Sequence, residues 1–426
     1  MTLIDSLARK TLRSRLPALE GGTLALTDRD GRQQFGDVHA RTDARGREPL
    51  HAALTVHSDA FYRRALLGSD IGIGESYMDG EWSTPDLVTT TRLMIRNAAM
   101  VEERGGLVRT VTRLAGGIAR RLRDNSIAGS RQHIHEHYDL GNDFFRLFLD
   151  ESLMYSSAYY QTGRETLEQA QQHKLDAICR KLALGPGDHV LEIGTGWGAF
   201  AVWAATHYGC RVTTTTISEE QYRHAKDWVS RLGEAGSRIQ VLLTDYRQLQ
   251  GQFDKVVSIE MFEAVGLNHY DDYFGAVNRL LRPNGSMLLQ TITVDEQHFP
   301  NYHGAPDWIE KYIFPGGELA SMGEILASLA RSTSMSLYHA ENFGSHYART
   351  LNEWRARYRR QLDRVRSMGF SDRFIRMWDF YLALCEAAFL ERHTGVFQLV
   401  LNKNYSGAQH FNEPWLEADG DVTAVA

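Results

Sequence analysis

The sequence predicts an α/β protein: a mostly parallel sheet covered by helices on both faces, preceded by a smaller α+β N-terminal domain. Three observations carry that expectation. Residues 190–200, VLEIGTGWGAF, read as strand, glycine turn and helix. β-prone runs then alternate with helical patterns as far as Thr293, the mark of a parallel sheet. A length of 426 residues exceeds what one ordinary domain holds, so two domains are expected.

The glycine turn is a nucleotide cradle. A backbone that bends sharply out of a strand and lies against a ligand has no room for Cβ atoms, which accounts for Gly194, Gly196 and Gly198 around Trp197. Gly194, Gly196 and Ala199 also satisfy the looser pattern of dinucleotide-binding folds, so NAD and S-adenosylmethionine (SAM) both remain open on the glycines alone. The acids separate them. The second strand, RVTTTTI, ends in Ser218 without the carboxylate that a nicotinamide nucleotide needs for its ribose. Glu192 instead lies inside the first strand, two residues before Gly194, where SAM enzymes commonly keep a carboxylate near the methionine ammonium.

With 43% hydrophobic and 23% charged residues the composition is that of a globular protein. A net charge of −6 argues against nucleic acid as a partner. Three cysteines, Cys179, Cys210 and Cys385, lack metal-ligand spacing and form an odd set, which points to a reducing compartment. No run approaches the roughly 18 to 20 apolar residues of a membrane span, and MTLIDSLARK lacks a signal-peptide core, so a cytoplasmic location is expected.

Along the chain, Leu3, Ile4 and Leu7 alternate with Arg9, Lys10, Arg13 and Arg15 and predict a short basic amphipathic helix, either packed on its own domain or lying on a membrane. Short alternating runs over 22–57 predict a small β unit, 58–70 a helix, and GIGESYMDGEW (72–82) a tight loop. A helix over 85–100 precedes a second basic amphipathic helix. Its apolar face is Leu107, Val111, Leu114, Ile118 and Leu122, and Arg109, Arg113, Arg120, Arg121 and Arg123 occupy the rest. Near an anionic bilayer each arginine contributes about 1 kcal/mol; a solvated connecting helix is the alternative. Residues 124–130 form the expected linker.

From Ile134 aromatics become dense, with an apolar helix over 144–149. The helix 169–184 stops at Gly185-Pro186-Gly187, before the first strand. Strands over 211–217, 239–243, 255–259 and 286–293 alternate with helices over 219–232 and 270–281. Ligands on such a sheet lie beyond the carboxyl ends of its strands, which places Glu192, Gly194, Thr216, Asp245, Glu263 and Gln290 along one rim. Residues 300–312 are expected to form a lid, 353–390 helix, 396–401 a last strand and 419–426 a disordered tail.

The ordered motifs HYDLGNDFFRLFLD, MYSSAYY, VLEIGTGWGAF, TISEEQ, TDYRQL, EMFEAVG, KYIFPGG and NFGSHYARTL resemble the cyclopropane fatty acid synthase and mycolic acid cyclopropane synthase family. The resemblance covers 134–403, and GESYMDGEW extends it towards the bacterial phospholipid-acting branch. It implies a class I SAM-dependent methyltransferase fold (Rossmann-like) over 126–405, a membrane-associating domain over 1–125 and a tail over 406–426. The implied reaction transfers a methylene from SAM to the cis double bond of unsaturated acyl chains in an anionic phospholipid membrane, by an enzyme held at its inner face. Self-association as a homodimer is left open.

The resemblance assigns SAM contacts to Tyr155, Ser156, the loop 194–198, Thr216, Gln221, Tyr246 and Arg247 beside Asp245. It implies a bicarbonate ion as general base, held by Ser157, Glu263, Gln290, the backbone at Ile292, and Tyr347. Cys385 matches a cysteine proposed as catalytic, although the apolar helix YLALCEAAFL suits a buried structural thiol better. Tyr159, Tyr160, Phe262, Tyr270, Tyr273 and Phe314 are the aromatics available to shelter a carbocation. Two positions depart from the pattern: Ser157 replaces a cysteine and Gln290 a histidine. Both keep hydrogen-bonding groups, but the loss of an imidazole removes a group that can carry positive charge. A methylene- or methyl-branched product, and a lipid-binding protein without turnover, are the alternatives to ring closure.

Overall fold

The computed structural model describes residues 3–39, 41–42, 46–98, 140–302 and 306–403. The second basic helix, the linker and the C-terminal tail expected from sequence lie outside the described residues. The chain forms two units that interleave in sequence. One takes residues 1–123, 300–315 and 351–394, the other 124–299, 316–350 and 395–426. The segments 300–315 and 351–394, inside the expected range 126–405, thus pack with the N-terminal unit.

In the first unit, β1 (Gly22–Asp28) pairs antiparallel with β2 (Gly31–Gly36) and parallel with β3 (Leu50–Val56), and β4 (Trp82–Ser83) closes the order β2-β1-β3-β4. The N-terminal helix is Leu3–Arg15, and it buries Asp5, Ala8, Arg9 and Leu12. Arg9 is buried and donates to Asp28 (Nε 3.3 Å, Nη2 3.2 Å), and Arg13 Nη1 reaches the same carboxylate at 2.5 Å. Against the cost of burial, hydrogen bonds from Tyr62, the Asp30 backbone, Arg13 and Arg9 hold the Asp28 carboxyl down to about 2. The apolar face is the one turned out: Leu3 is 89% exposed, Ile4 58% and Leu7 65%.

The expected loop 72–82 is mostly helix, Ser69–Met78. Its glycines serve close approach. A Cβ on Gly72 would stand 2.1 Å from the Arg64 carbonyl oxygen, and one on Gly74 2.3 Å from Trp308 Nε1. The expected lid contains the short helices Phe299–Tyr302 and Trp308–Tyr312.

The second unit is a seven-stranded sheet of order β10-β11-β9-β8-β5-β6-β7: β5 (His189–Ile193), β6 (Arg211–Thr216), β7 (Ile239–Leu243), β8 (Phe253–Ile259), β9 (Leu281–Val294), β10 (Met335–Asn342) and β11 (Thr394–Lys403). Strands β5 to β9 run parallel, and β10 pairs antiparallel with β11. This is the mostly parallel sheet expected from the βα alternation. Both faces are buried, which is why the strands read as continuous apolar runs: Leu191, Ile193, Val256, Met287 and Leu289 join one core, Val190, Val257 and Leu288 the other. The helix Leu167–Lys181 opens with a capping box between Thr166 and Gln169 and feeds β5; Ser218 caps Glu219–Ser230.

Candidate active site

The turn after β5 places three glycines in the left-handed region, Gly194 at φ 100°, Gly196 at 53° and Gly198 at 104°. The Gly194 and Thr195 N–H groups both donate to the Thr215 carbonyl (3.0 and 3.1 Å), which ties the cradle to β6. A Cβ on Gly194 would meet Met261 Cβ at 3.0 Å, so the loop after β8 lies directly against the cradle. Trp197 is buried and donates from Nε1 to Asn142 Oδ1 at 2.7 Å. The Phe145 ring packs on both Trp197 (5.3 Å between centroids) and Tyr155 (5.5 Å), bringing the segment 155–157 to the cradle.

Glu192 is buried and accepts from Thr214 Oγ1 at 2.6 Å, and burial pushes its carboxyl up to about 8. A cationic ligand group beside it would reverse that shift. At the end of β6, Thr216 Oγ1 donates to Gln221 Oε1 at 2.8 Å, leaving the Gln221 amide N–H groups as the donors on that rim. Beyond β7, Asp245 clamps Arg247 through Nε (2.9 Å) and Nη2 (2.8 Å). Tyr246 packs edge-on against Tyr273 at 5.2 Å. The strand register sets the rim, with Thr216 opposite Leu243 and Ile259 opposite Gln290.

At the end of β8 stands a residue that sequence reasoning passed over. Glu260 has φ 47°, a left-handed conformation that a side chain other than glycine's rarely takes, and its N–H donates to the Gln290 carbonyl at 2.7 Å. The bend directs its carboxylate into a set of donors. Oε1 accepts from the Ser157 N–H (2.9 Å) and Gln290 Nε2 (2.7 Å), and Oε2 from the Tyr347 hydroxyl (2.8 Å). Desolvation raises its pKa, while the Lys174 charge and these hydrogen bonds favour the anion. Lys174 is fully buried, donates to Ser156 Oγ at 2.6 Å, and is pulled down to about 7 by burial, with Glu260 and Asp150 opposing that fall.

Glu263, three residues on, lies outside this set. Its Oε1 accepts from the Ile292 N–H (2.6 Å) and Thr291 Oγ1 (3.1 Å), and its Oε2 is buried with no hydrogen-bond partner among the described residues. Burial, and then the Glu260 charge, push its carboxyl up to about 8, which favours the protonated acid.

The family model for mycolic acid cyclopropane synthetase matches residues 126–399. The chain belongs to that family. It is 38% identical over 366 residues to the tuberculostearic acid methyltransferase of Mycobacterium tuberculosis, covering 83% of this chain and 84% of the relative. It is also 38% identical over 355 residues to the cyclopropane-fatty-acyl-phospholipid synthase of Escherichia coli, covering 83% and 88%. Among solved structures, a mycolic acid cyclopropane synthase complexed with SAH and CTAB superposes with a TM-score of 0.59 at 32% identity, covering 64% of this chain and 98% of that one. The protein is a SAM-dependent transferase of the class I methyltransferase fold.

Within this family member the pocket assigned to bicarbonate divides in two. Ser157, Gln290 and Tyr347 converge on the Glu260 carboxylate. The Ile292 N–H is taken by Glu263. The second Gln290 N–H and the Glu263 acid lie outside these bonds, but the Glu260 carboxylate takes most of the donors that the resemblance assigns to a small anion. Cys385 lies in the helix Asp372–Leu390 of the first unit, and burial pushes its thiol up, away from the reactive thiolate. Of the aromatics expected to shelter a cation, Phe262, Tyr270 and Tyr273 pack into the sheet core (Phe262 to Tyr270 4.3 Å, to Tyr273 5.0 Å). Phe314 belongs to the first unit. Tyr159 donates to Glu341 (2.8 Å), and Tyr160 lies under Arg349 (4.0 Å).

Proposed function

We propose that the enzyme adds the methyl carbon of SAM to the cis double bond of an unsaturated phospholipid acyl chain and closes a cyclopropane, with Glu260 as the general base. The observation that carries this reading is the Glu260 carboxylate, held by three donors one residue from Met261, which touches the glycine cradle. SAM, when bound, supplies the electrophilic methyl group, the carbon–sulfur bond breaking as the new carbon–carbon bond forms. The residues suited to hold it are Gly194, Gly196 and Gly198, Glu192, Thr216 with Gln221, and Tyr246.

Addition leaves a carbocation on the acyl chain, and the product is set by which proton departs. Glu260 removes it through Oε2. Both donors on Oε1 are fixed, an N–H and an amide, whereas the Tyr347 hydroxyl on Oε2 can rotate to accept from the newly formed acid. The neutral acid of Glu263 avoids a second charge beside Glu260, which would compete for the cation.

The lipid arrives from a membrane at whose inner face the enzyme is held peripherally. The outward face of the N-terminal helix, Leu3, Ile4 and Leu7 followed by Lys10, is suited to enter the headgroup boundary of an anionic bilayer.

A second reading is a methylene branch in place of the ring, in which a hydride shifts along the acyl chain before the same incoming methyl group loses its proton. Mass spectrometry of fatty acids released from unsaturated phospholipid vesicles, after incubation with methyl-deuterated SAM, tests both readings. A gain of one CH2 unit retaining two deuteriums supports ring or methylene, which NMR separates. Three retained deuteriums mean that the proton left elsewhere, and no mass change overturns the function.

A further inference from the structure

Gln290 does not act alone. Its Oε1 accepts from Gln398 Nε2 at 2.9 Å, and Gln398 Oε1 accepts from Lys181 Nζ at 2.5 Å. Lys181 also pairs with Glu341, whose other oxygen accepts from Tyr159. Gln290 and Gln398 are completely buried and Lys181 nearly so, while the Glu341 side chain keeps 28% of its surface exposed. A continuous chain of hydrogen bonds therefore runs from Glu341 on β10 and the buried Lys181 of the helix Leu167–Lys181, through β11 and β9, to the carboxylate at the end of β8.

The chain has one direction. An ammonium has only donors, so Gln398 must turn its oxygen to Lys181 and its NH2 to Gln290. Gln290 must then turn its oxygen to Gln398 and its NH2 to Glu260. A flip of either amide would set oxygen against oxygen at one junction and NH2 against a donor at the other, inside a completely buried stretch.

We propose that Lys181 and Gln398 are positioning residues for the general base: they lock the donor end of Gln290 onto Glu260 and so keep the carboxylate ionised and aimed. The position where the resemblance expects an imidazole thus holds an amide whose polarity is fixed by a cation two side chains away. Such a chain is polarised along its length, which strengthens its last hydrogen bond. The proposal rests on the reading of Glu260 as the base.

The test compares Gln398→Glu, Lys181→Met and Lys181→Arg with Glu260→Gln in the vesicle assay, each variant checked for SAM binding and thermal melting. Gln398→Glu keeps shape and accepts from Lys181 but has no donor for Gln290; Lys181→Met removes the cation that sets the direction. Both are expected to lower kcat by roughly tenfold or more, the scale of a hydrogen bond to a charged group. SAM affinity and lipid KM are expected within about twofold of wild type, because neither residue touches the cradle. The acidic limb of the kcat/KM profile moves to higher pH, because a carboxylate that loses a donor holds its proton more tightly. Lys181→Arg, which keeps charge and donors, restores most of kcat. A lowered melting temperature with an unmoved acidic limb would show a merely structural role and overturn the proposal. If Glu260→Gln itself keeps wild-type turnover, the base assignment fails first. If Glu260→Gln is inactive while Gln398→Glu and Lys181→Met keep wild-type kcat and pH profile, the positioning proposal alone fails.

Discussion

The Tyr347 hydroxyl donates to Glu260 Oε2 at 2.8 Å, across 87 residues of sequence and from a helix to the end of β8. Oε1 is served instead by Ser157 and Gln290. Tyr347→Phe is therefore expected to lower kcat by roughly 10- to 100-fold, the worth of one hydrogen bond to a charged group. SAM affinity measured by calorimetry should stay within about twofold. The acidic limb of the rate profile should move to higher pH, since the ionised carboxylate loses support.

Glu263 makes a prediction about stability. Its folded pKa, pushed up to about 8, lies above the unfolded value near 4.5, so between these limits the folded state binds the extra proton. The stability this group contributes is fully present below about 4.5 and is lost as pH rises to about 8. Glu263→Gln removes a titrating group and keeps the shape. The difference in unfolding free energy between variant and wild type, followed by denaturant titration from pH 5 to 8.5, should therefore grow in the variant's favour with pH. A constant difference would show that Glu263 is ionised throughout.

Gly72 packs where no side chain fits. With a Cβ 2.1 Å from the Arg64 carbonyl oxygen, Gly72→Ala must push two backbone segments apart, at a cost of about 1–3 kcal/mol. Thermal melting should show a fall of several degrees. A Gly275→Ala control meets no atom within 4 Å and has no positive φ, so it should not lower the melting temperature.

The outward apolar turn of the N-terminal helix gives a membrane prediction. Replacing Leu3, Ile4 and Leu7 together by serine should weaken binding to anionic vesicles about 100-fold, taking roughly 1 kcal/mol for each partly inserted side chain. Flotation measures it, and Leu12→Ser, on the buried face, should lose stability rather than binding.

What was legible in the sequence followed from local rules. Gly194, Gly196 and Gly198 were readable because positive φ selects glycine, whereas Gln221 came from the family resemblance. Glu260 was not, because its left-handed backbone has no sequence signal in a residue other than glycine; the bend alone turns it, rather than Glu263, towards Gln290 and Tyr347. A charged residue ending the apolar run VVSI was the one available hint. Gly72 and Gly74 were read as turn formers because close approach to Arg64 and Trp308 is a tertiary fact. Periodicity left open which face of the first helix packs for the same reason: it does not reveal that Asp28 and Tyr62 await Arg9. Lys181 and Gln398, 217 residues apart, share no local pattern.

The most direct test of Glu260 as the resident base uses bicarbonate. Rates of CH2 addition are measured in CO2-stripped buffer and with added bicarbonate, for wild type and for Glu260→Gly, which suits the φ of 47° and removes the carboxylate from its three donors. The wild-type rate is expected to be independent of bicarbonate; Glu260→Gly is expected to be inactive without it and to recover part of its rate as bicarbonate is added. A wild-type enzyme that needs bicarbonate, or a Glu260→Gly variant at full rate in stripped buffer, would contradict that assignment.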